Sequence, residues 1–134
     1  MTNPSLFDLR TTACEQNAEL ESACERIAQT IHGQQKLVLL HGGHGSWLHW
    51  ARVIPELSSH FNLWIPDMPG YGESTLTPTA GLDELVVQLR QSLDALLGVD
   101  TPILLGGFSF GGLVSARLAT QRDTIERMVL IGPA

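Results

Sequence analysis

The sequence predicts an α/β protein built on a parallel sheet with helices on both faces. Short apolar runs typical of buried strands alternate along the chain with segments of helical periodicity. That alternation favours parallel strands joined by helical crossovers. Charged residues make up only 16% of the 134 residues, and 43% are hydrophobic. This balance suits a sheet whose strands are buried on both faces.

The N-terminal region is predicted to be a disordered tail over residues 1–11, followed by a single domain over 12–134. Thr12 and Glu15 fit a capping box, which predicts the start of a helix over residues 12–31. The end of this helix is ambiguous. Ile27, Gln29 and Ile31 alternate with polar residues, so a short strand over residues 26–32 is the alternative.

The two cysteines and the overall charge bear on the environment and partners. Cys14 and Cys24 both fall in the predicted helix, about 15 Å apart, which is too far for a disulfide. Reduced thiols and the absence of a signal-peptide pattern in residues 1–10 favour a cytoplasmic protein. No apolar run reaches the roughly 20 residues that span a bilayer. A net charge of −6 without Lys/Arg clusters argues against nucleic-acid partners.

The remaining elements follow from local patterns. Helix 82–97 has one apolar stripe and ends at Gly98, a residue typical of helix C-termini. Helix 47–59 contains Pro55, which predicts a kink or an early stop. Glycine and proline identify a loop over residues 68–81. The other predicted elements are strands 36–40, 62–66, 103–105 and 128–131 and a helix over 113–121.

The last predicted strand, 128–131, has no following segment to cover its far edge. An uncovered apolar edge invites pairing with another chain. We therefore expect either that the sequence is a fragment of a longer protein or that the chain self-associates through this strand.

Residues 107–111 match the pattern G-x-S-x-G between a predicted strand and a predicted helix. A serine at such a sharp turn projects its hydroxyl clear of the sheet, where it can act as a nucleophile. The flanking Gly107 and Gly111 allow strand and helix to approach closely. The N–H of Phe110 lies at the helix N-terminus, where it can stabilise an oxyanion. A glycine-rich packing turn is the alternative interpretation.

Two further glycine segments follow predicted strands. Residues 41–45, His-Gly-Gly-His-Gly in order, can present a second backbone N–H to an oxyanion, and that of Gly43 is best placed. A flexible loop without chemistry is the alternative. The segment from Asp67 to Ser74 has no evident chemistry of its own, and its Pro and Gly residues predict a defined turn.

Together the three segments resemble the α/β-hydrolase superfamily, in its serine-hydrolase form. That family has H-G-G or H-G-x after its third strand, D-x-P-G-x-G-x-S after its fourth and G-x-S-x-G-G after its fifth, and the chain matches all three in order from residue 37 onwards. The match covers the N-terminal half of the family's fold. The resemblance implies Ser109 as nucleophile and the N–H groups of Gly43 and Phe110 as oxyanion hole. It also implies that three side chains lie around the site, where packing is an alternative role for each: His44, Trp47 and Phe108.

The resemblance also implies that part of the catalytic machinery is missing. The family's acid and histidine follow later strands, whereas only Asp123 and Glu126 and no histidine follow Ser109 here. Asp123 precedes the last strand, at the wrong edge of the sheet for a catalytic acid. His44 could substitute as a general base, but this is disfavoured. A metal site formed by His41, His44 and His49 is disfavoured because the loop is rich in glycine and no carboxylate or thiol joins these histidines.

The resulting expectation is a serine hydrolase that acts on a small carbonyl substrate such as an ester, without metal or cofactor. Serine at position 109, in the strand-to-helix turn called the nucleophile elbow, argues against haloalkane dehalogenases and epoxide hydrolases. These enzymes resemble this family but carry aspartate at that position. Gly111 is followed by Gly112 and no lysine, which excludes a phosphate-binding loop. The alternative is a catalytically inactive, truncated or degenerate domain of this fold that binds a ligand or a partner.

Overall fold

The computed structural model describes residues 35–74 and 81–133. The predicted tail, the predicted helix 12–31, both cysteines and part of the predicted loop 68–81 lie outside the described residues. Within them the chain forms β1 (Lys36–Leu40), a 3-10 helix (Trp47–Trp50), α1 (Ile54–Leu57), β2 (Asn62–Trp64), α2 (Leu82–Leu97), β3 (Ile103–Phe108), α3 (Phe110–Ala119) and β4 (Ile125–Ile131).

The four strands form one sheet in the order β2-β1-β3-β4, and every neighbouring pair is parallel. Lys36 pairs with Asn62 of β2 on one side and with Ile103 of β3 on the other. All strands therefore end at the same edge of the sheet, so the loops that follow β1, β2 and β3 meet there. The predicted parallel α/β architecture is confirmed.

Alternate residues of β1 pack against different layers, as the two-residue repeat of a strand requires. Val38 and Leu40 join the larger core cluster, which contains α2 and α3 through residues such as Leu89 and Val114. Leu39 faces the opposite way and packs with the 3-10 helix, α1 and β2. Helical elements thus cover both faces, with the long helices on one and the short ones on the other.

Helix α2 has the predicted bounds, and Gly98 follows it at a φ of +91°, a backbone conformation that favours glycine. A buried arginine fixes the next turn. The guanidinium of Arg122 pairs with Asp94 near the end of α2 and donates to the carbonyl oxygens of Gly98 and Thr101 at 2.8 and 2.7 Å. The buried side chain of Arg122 therefore stabilises the turn that links α2 to β3.

The predicted helix 47–59 is wrong as a single element. The chain forms the 3-10 helix, a turn and then the four-residue helix α1. Pro55 is in the first turn of α1, a position that needs no N–H donor, so the proline begins a helix and does not end one. Strand β2 ends at Trp64, earlier than predicted, whereas β3 and β4 are longer than predicted.

Strand β4 pairs with β3 and has no second neighbour among the described residues. Val129 is 61% exposed and Ile131 is 47% exposed. A groove of about 600 Å³ runs along the same region between β4 and the layer of Trp50 and Leu57. Self-association through β4 stays a prediction. Within the described parts of the chain, no helix is long and apolar enough to cross a membrane.

Candidate active site

Ser109 lies in the turn between β3 and α3. Its backbone has φ +54° and ψ −117°, in a region that residues with side chains rarely adopt and that costs about 1–3 kcal/mol. Hydrogen bonds of both its N–H and its carbonyl hold this conformation. The Ser109 N–H donates to the carbonyl oxygen of Ile131 at 2.9 Å, and the Ser109 carbonyl accepts from Gly112 N–H at 2.8 Å. This is the sharp strand-to-helix turn that projects a serine hydroxyl away from a sheet.

The two glycines around Ser109 are required by contact. A β-carbon on Gly107 would lie 2.3 Å from the Gly111 carbonyl oxygen and 2.4 Å from Ser115 Oγ. A β-carbon on Gly111 would lie 2.3 Å from the carbonyl oxygen of Leu40, at the end of β1. The two glycines of the pattern G-x-S-x-G are therefore required because α3 packs closely on β3 and β1. The turn that carries Ser109 is therefore also a packing contact.

Gly43 and Phe110, whose N–H groups are predicted to bind an oxyanion, are close neighbours. An ideal β-carbon on Gly43 would be 3.6 Å from Cβ of Phe110, an ordinary van der Waals contact. Phe110 is the first residue of α3, so its N–H has no acceptor inside the helix and lies at the positive end of the helix dipole. The loop after β1 thus reaches the N-terminus of α3, next to Ser109.

His41 is fully buried and joins two loops. Its Nδ1 donates to the carbonyl oxygen of Gly42 at 2.8 Å, and its Nε2 accepts from the N–H of Met68 at 3.0 Å. This pair of bonds assigns the neutral ring with the proton on Nδ1. Burial lowers the pKa of His41, while the Gly42 carbonyl and the charge of Asp67 oppose that effect. His41 is therefore a structural bridge with no nitrogen left for proton transfer.

Asp67 has a structural role that the sequence did not reveal. Its side chain is 3% exposed and accepts two backbone hydrogen bonds, from Trp47 N–H to Oδ1 and from Glu73 N–H to Oδ2, both at 2.8 Å. Gly72 packs against the same carboxylate, where a β-carbon would be 2.2 Å from Oδ2. Asp67 thus joins the loop after β1 to the turn after β2.

The three side chains expected around the site are placed differently. Phe108 is 39% exposed, and its ring is in edge contact with that of His49. His44 is exposed and has a φ of +56°. Trp47 is 5% exposed and packs in the core cluster that contains Leu39. Trp47 therefore has the packing role that the sequence left open, and the structure does not bring it to the surface with the other two.

Sequence reasoning also missed a contact of His49, whose Nδ1 accepts a hydrogen bond from the N–H of Gly42 at 3.0 Å. No pattern of spacing indicates this bond, because both ends depend on the path of the glycine loop. His41, His44 and His49 do not converge on one point: across residues 35–74 and 81–133, no group of three or more His, Cys, Asp or Glu side chains could hold a metal ion.

Asp123, the nearest acid after Ser109 in the sequence, lies at the other edge of the sheet. It is exposed in the turn that precedes β4. Ser109 follows the carboxyl end of β3, which is parallel to β4. The sequence placed Asp123 away from Ser109, and the topology agrees.

Comparison with known proteins identifies the fold family in which this site occurs. A family model described as the alpha/beta hydrolase fold matches residues 36–134. Over 96 residues the chain is 33% identical to a pimeloyl-[acyl-carrier protein] methyl ester esterase of Vibrio vulnificus, covering 71% of this chain and 35% of that protein. It is 37% identical over 98 residues to a soluble epoxide hydrolase of Corynebacterium, covering 71% and 33%.

A solved structure is also similar to this chain. The chain aligns with a hydrolase from Pseudomonas aeruginosa at 30% identity and a TM-score of 0.68, over 77% of this chain and 39% of that one. The chain thus spans between 33% and 39% of the length of these three proteins.

Proposed function

This chain belongs to the α/β-hydrolase fold family, and we propose that it supplies the nucleophile and the oxyanion hole of a serine hydrolase. The proposed substrate is a carbonyl compound, and a carboxylic ester is the favoured class. Ser109 Oγ attacks the carbonyl carbon and forms an acyl-enzyme, and the alcohol leaves. The N–H groups of Gly43 and Phe110 bind the oxygen that becomes negative in the tetrahedral intermediate. Water then releases the acid.

The observation that carries this proposal is the backbone of Ser109. A φ of +54° at a residue with a side chain is unfavourable and persists because the surroundings impose it. The strain is located at the junction where β3 ends and α3 begins, beside the loop of Gly43. A turn that only connected two elements could use glycine there at no cost.

The choice of an ester over an epoxide rests on the residue type at the elbow. Both classes occur among the relatives, as a methyl ester esterase and an epoxide hydrolase. Serine stands at position 109, and a serine hydroxyl suits acyl transfer. Epoxide hydrolases of this fold use an aspartate at that position, so the esterase is the better guide to substrate class.

A serine hydroxyl needs a general base to be an efficient nucleophile. His41 cannot provide it, because both ring nitrogens are engaged in the bonds to Gly42 and Met68. The hydrogen bonds of the described histidines go to Gly42 and Met68, and none of them reaches Ser109. The proposal therefore places the acid and the histidine of the triad outside the described residues. An inactive domain of this fold that only binds a ligand or partner is the competing function.

Hydrolysis of p-nitrophenyl butyrate by the natural protein tests the proposal. We expect Ser109→Ala to lower kcat by about 10³-fold or more, because the nucleophile is lost. Ser92→Ala is the matched control: this serine lies on α2 and bonds the Gln88 carbonyl at 2.9 Å, so its loss should leave kcat unchanged. A natural protein without ester hydrolysis, or one in which Ser109→Ala retains wild-type kcat, would support the inactive domain.

A further inference from the structure

The backbone of Gly42 is held by two histidines from opposite directions. Its carbonyl oxygen accepts from His41 Nδ1 at 2.8 Å, and its N–H donates to His49 Nδ1 at 3.0 Å. Glycine is the most flexible residue, and two of them are consecutive here. The pair of bonds restricts the backbone of the first of them, Gly42.

The geometry of the peptide group connects these bonds to the oxyanion hole. The Gly42 carbonyl and the Gly43 N–H belong to the same planar peptide unit, and in a trans peptide they point in opposite directions. Fixing the Gly42 carbonyl therefore fixes the Gly43 N–H. The Gly42 N–H belongs to the preceding peptide unit, between His41 and Gly42, and the bond to His49 restrains that unit. With the peptide units on both sides of Gly42 bonded, rotation about its φ and ψ is restricted.

His49 is an exposed residue, and its ring makes two packing contacts. It lies in edge contact with Phe108, with ring centres 5.5 Å apart and planes at 88°. It also lies directly against Gly45, where a β-carbon would be 2.0 Å from Cε1 of the ring. The backbone under His49 is the 3-10 helix, which begins at Trp47, and the Trp47 N–H is bonded to the buried Asp67 carboxylate.

We propose that His49 is a positioning residue of the hydrolase: its unprotonated Nδ1 holds the Gly42 N–H and so keeps the Gly43 N–H directed at the substrate oxygen. This inference rests on the proposed function for its effect on catalysis. The bond itself does not depend on that function. It requires the neutral ring with its proton on Nε2, the opposite tautomer from that of His41.

Two substitutions separate the hydrogen bond from the packing of the ring. His49→Phe keeps an aromatic ring against Phe108 and Gly45 but has no acceptor, whereas His49→Asn places an amide oxygen near the position of Nδ1. We expect His49→Phe to lower kcat roughly ten-fold with KM within two-fold, because removing a whole oxyanion donor costs about 10²–10³. We expect His49→Asn to recover kcat to within about three-fold of wild type. Equal kcat for wild type and His49→Phe, or equal losses in both variants, would overturn the proposal.

A spectroscopic measurement on the wild-type protein tests the bond without activity. Nitrogen-15 correlation spectra of the histidine rings at neutral pH should show His49 protonated on Nε2 and His41 protonated on Nδ1. A His49 ring protonated on Nδ1 would overturn the inference by itself. If the tautomer is as expected but Ser109→Ala retains full ester hydrolysis, the proposed function fails and the catalytic role of His49 fails with it, while the structural bond stands.

Discussion

Gly107 and Gly111 lie so close together that a β-carbon on Gly107 would be 2.3 Å from the carbonyl oxygen of Gly111. The obstacle is backbone, which cannot turn aside as a flexible side chain can. Gly111 is equally confined, against the carbonyl oxygens of Leu40 and His41 at the end of β1. The elbow is therefore a three-way contact between β1, β3 and α3.

We predict that Gly107→Ala and Gly111→Ala each lower the free energy of unfolding by about 1–3 kcal/mol or more, as overpacking of a close-packed site does. Urea denaturation followed by circular dichroism measures the change. Gly43→Ala is the matched control, because its β-carbon would meet only Cβ of Phe110 at 3.6 Å. Equal stability of Gly43→Ala and Gly111→Ala would show that α3 does not pack as described.

Asp67 should be important for stability without taking part in chemistry. Asp67→Ala removes the acceptor of two backbone N–H groups, that of Trp47 in a buried site and that of Glu73 in a partly buried one. We expect a loss of about 2–4 kcal/mol, since a hydrogen bond to a charged group contributes about 1.5–3 kcal/mol. Thermal or urea unfolding provides the measurement.

Asp100→Ala is the control for that variant, because Asp100 is exposed in the turn after α2. We expect it to change stability by less than about 0.5 kcal/mol, as exposed sites usually do. If the two aspartate variants are equally stable, the carboxylate of Asp67 does not join the two loops.

His41 should make the fold less stable in acid. Burial lowers the pKa of His41 in the folded protein, so the unfolded chain binds an extra proton as the pH falls below about 6.5. The contribution of the neutral ring is therefore complete above that pH and is lost towards lower pH. Protonation would also place an N–H against the donor N–H of Met68.

The free energy of unfolding at pH 7.5 and 5.5 tests this prediction. We expect the wild-type protein to lose stability between these values and His41→Asn to show a smaller pH dependence from a lower starting stability. His60→Asn, at an exposed position, should keep the pH dependence of wild type. An unchanged pH dependence in His41→Asn would contradict the buried, neutral state of this ring.

Sequence patterns predicted the elements that depend on local forces. Helix α2 has the predicted bounds because its apolar stripe and the glycine at position 98 act within a few residues. Strand β1 matches for a similar reason, since its apolar run is bounded by loop residues. The parallel direction of the strands followed from the alternation of elements, whereas their order, β2-β1-β3-β4, was not predicted.

Elements that depend on distant partners were predicted less well. Strand β3 continues through Gly106 and Gly107, which look like loop residues, because they pair with Leu39 and Leu40 of β1. Helix α3 begins at Phe110 and not at residue 113, because its glycine-rich first turn packs on β1. Neither effect is visible in a window of a few residues.

The candidate site shows the same division. The motif around Ser109 and the glycine loop after β1 are encoded in short segments, and the structure brings Gly43 and Phe110 together. The supporting groups are different. Asp67 and the N–H that it binds on Trp47 are 20 residues apart, and His41 and Met68 are 27 apart. Contacts at such separations become predictable only when the sheet that joins them is known.

The measurement that tests the central claim most directly is covalent labelling of the natural protein with a fluorophosphonate. Its phosphorus accepts a serine oxygen and releases fluoride, so an adduct marks an activated nucleophile. Trypsin yields the peptide from residue 91 to residue 117, which carries Ser92, Ser109 and Ser115. We predict one adduct on this peptide, at Ser109, and none in the Ser109→Ala variant. No adduct on the wild-type protein, or an adduct at Ser92 or Ser115 that persists in Ser109→Ala, would contradict the assignment of Ser109 as the nucleophile.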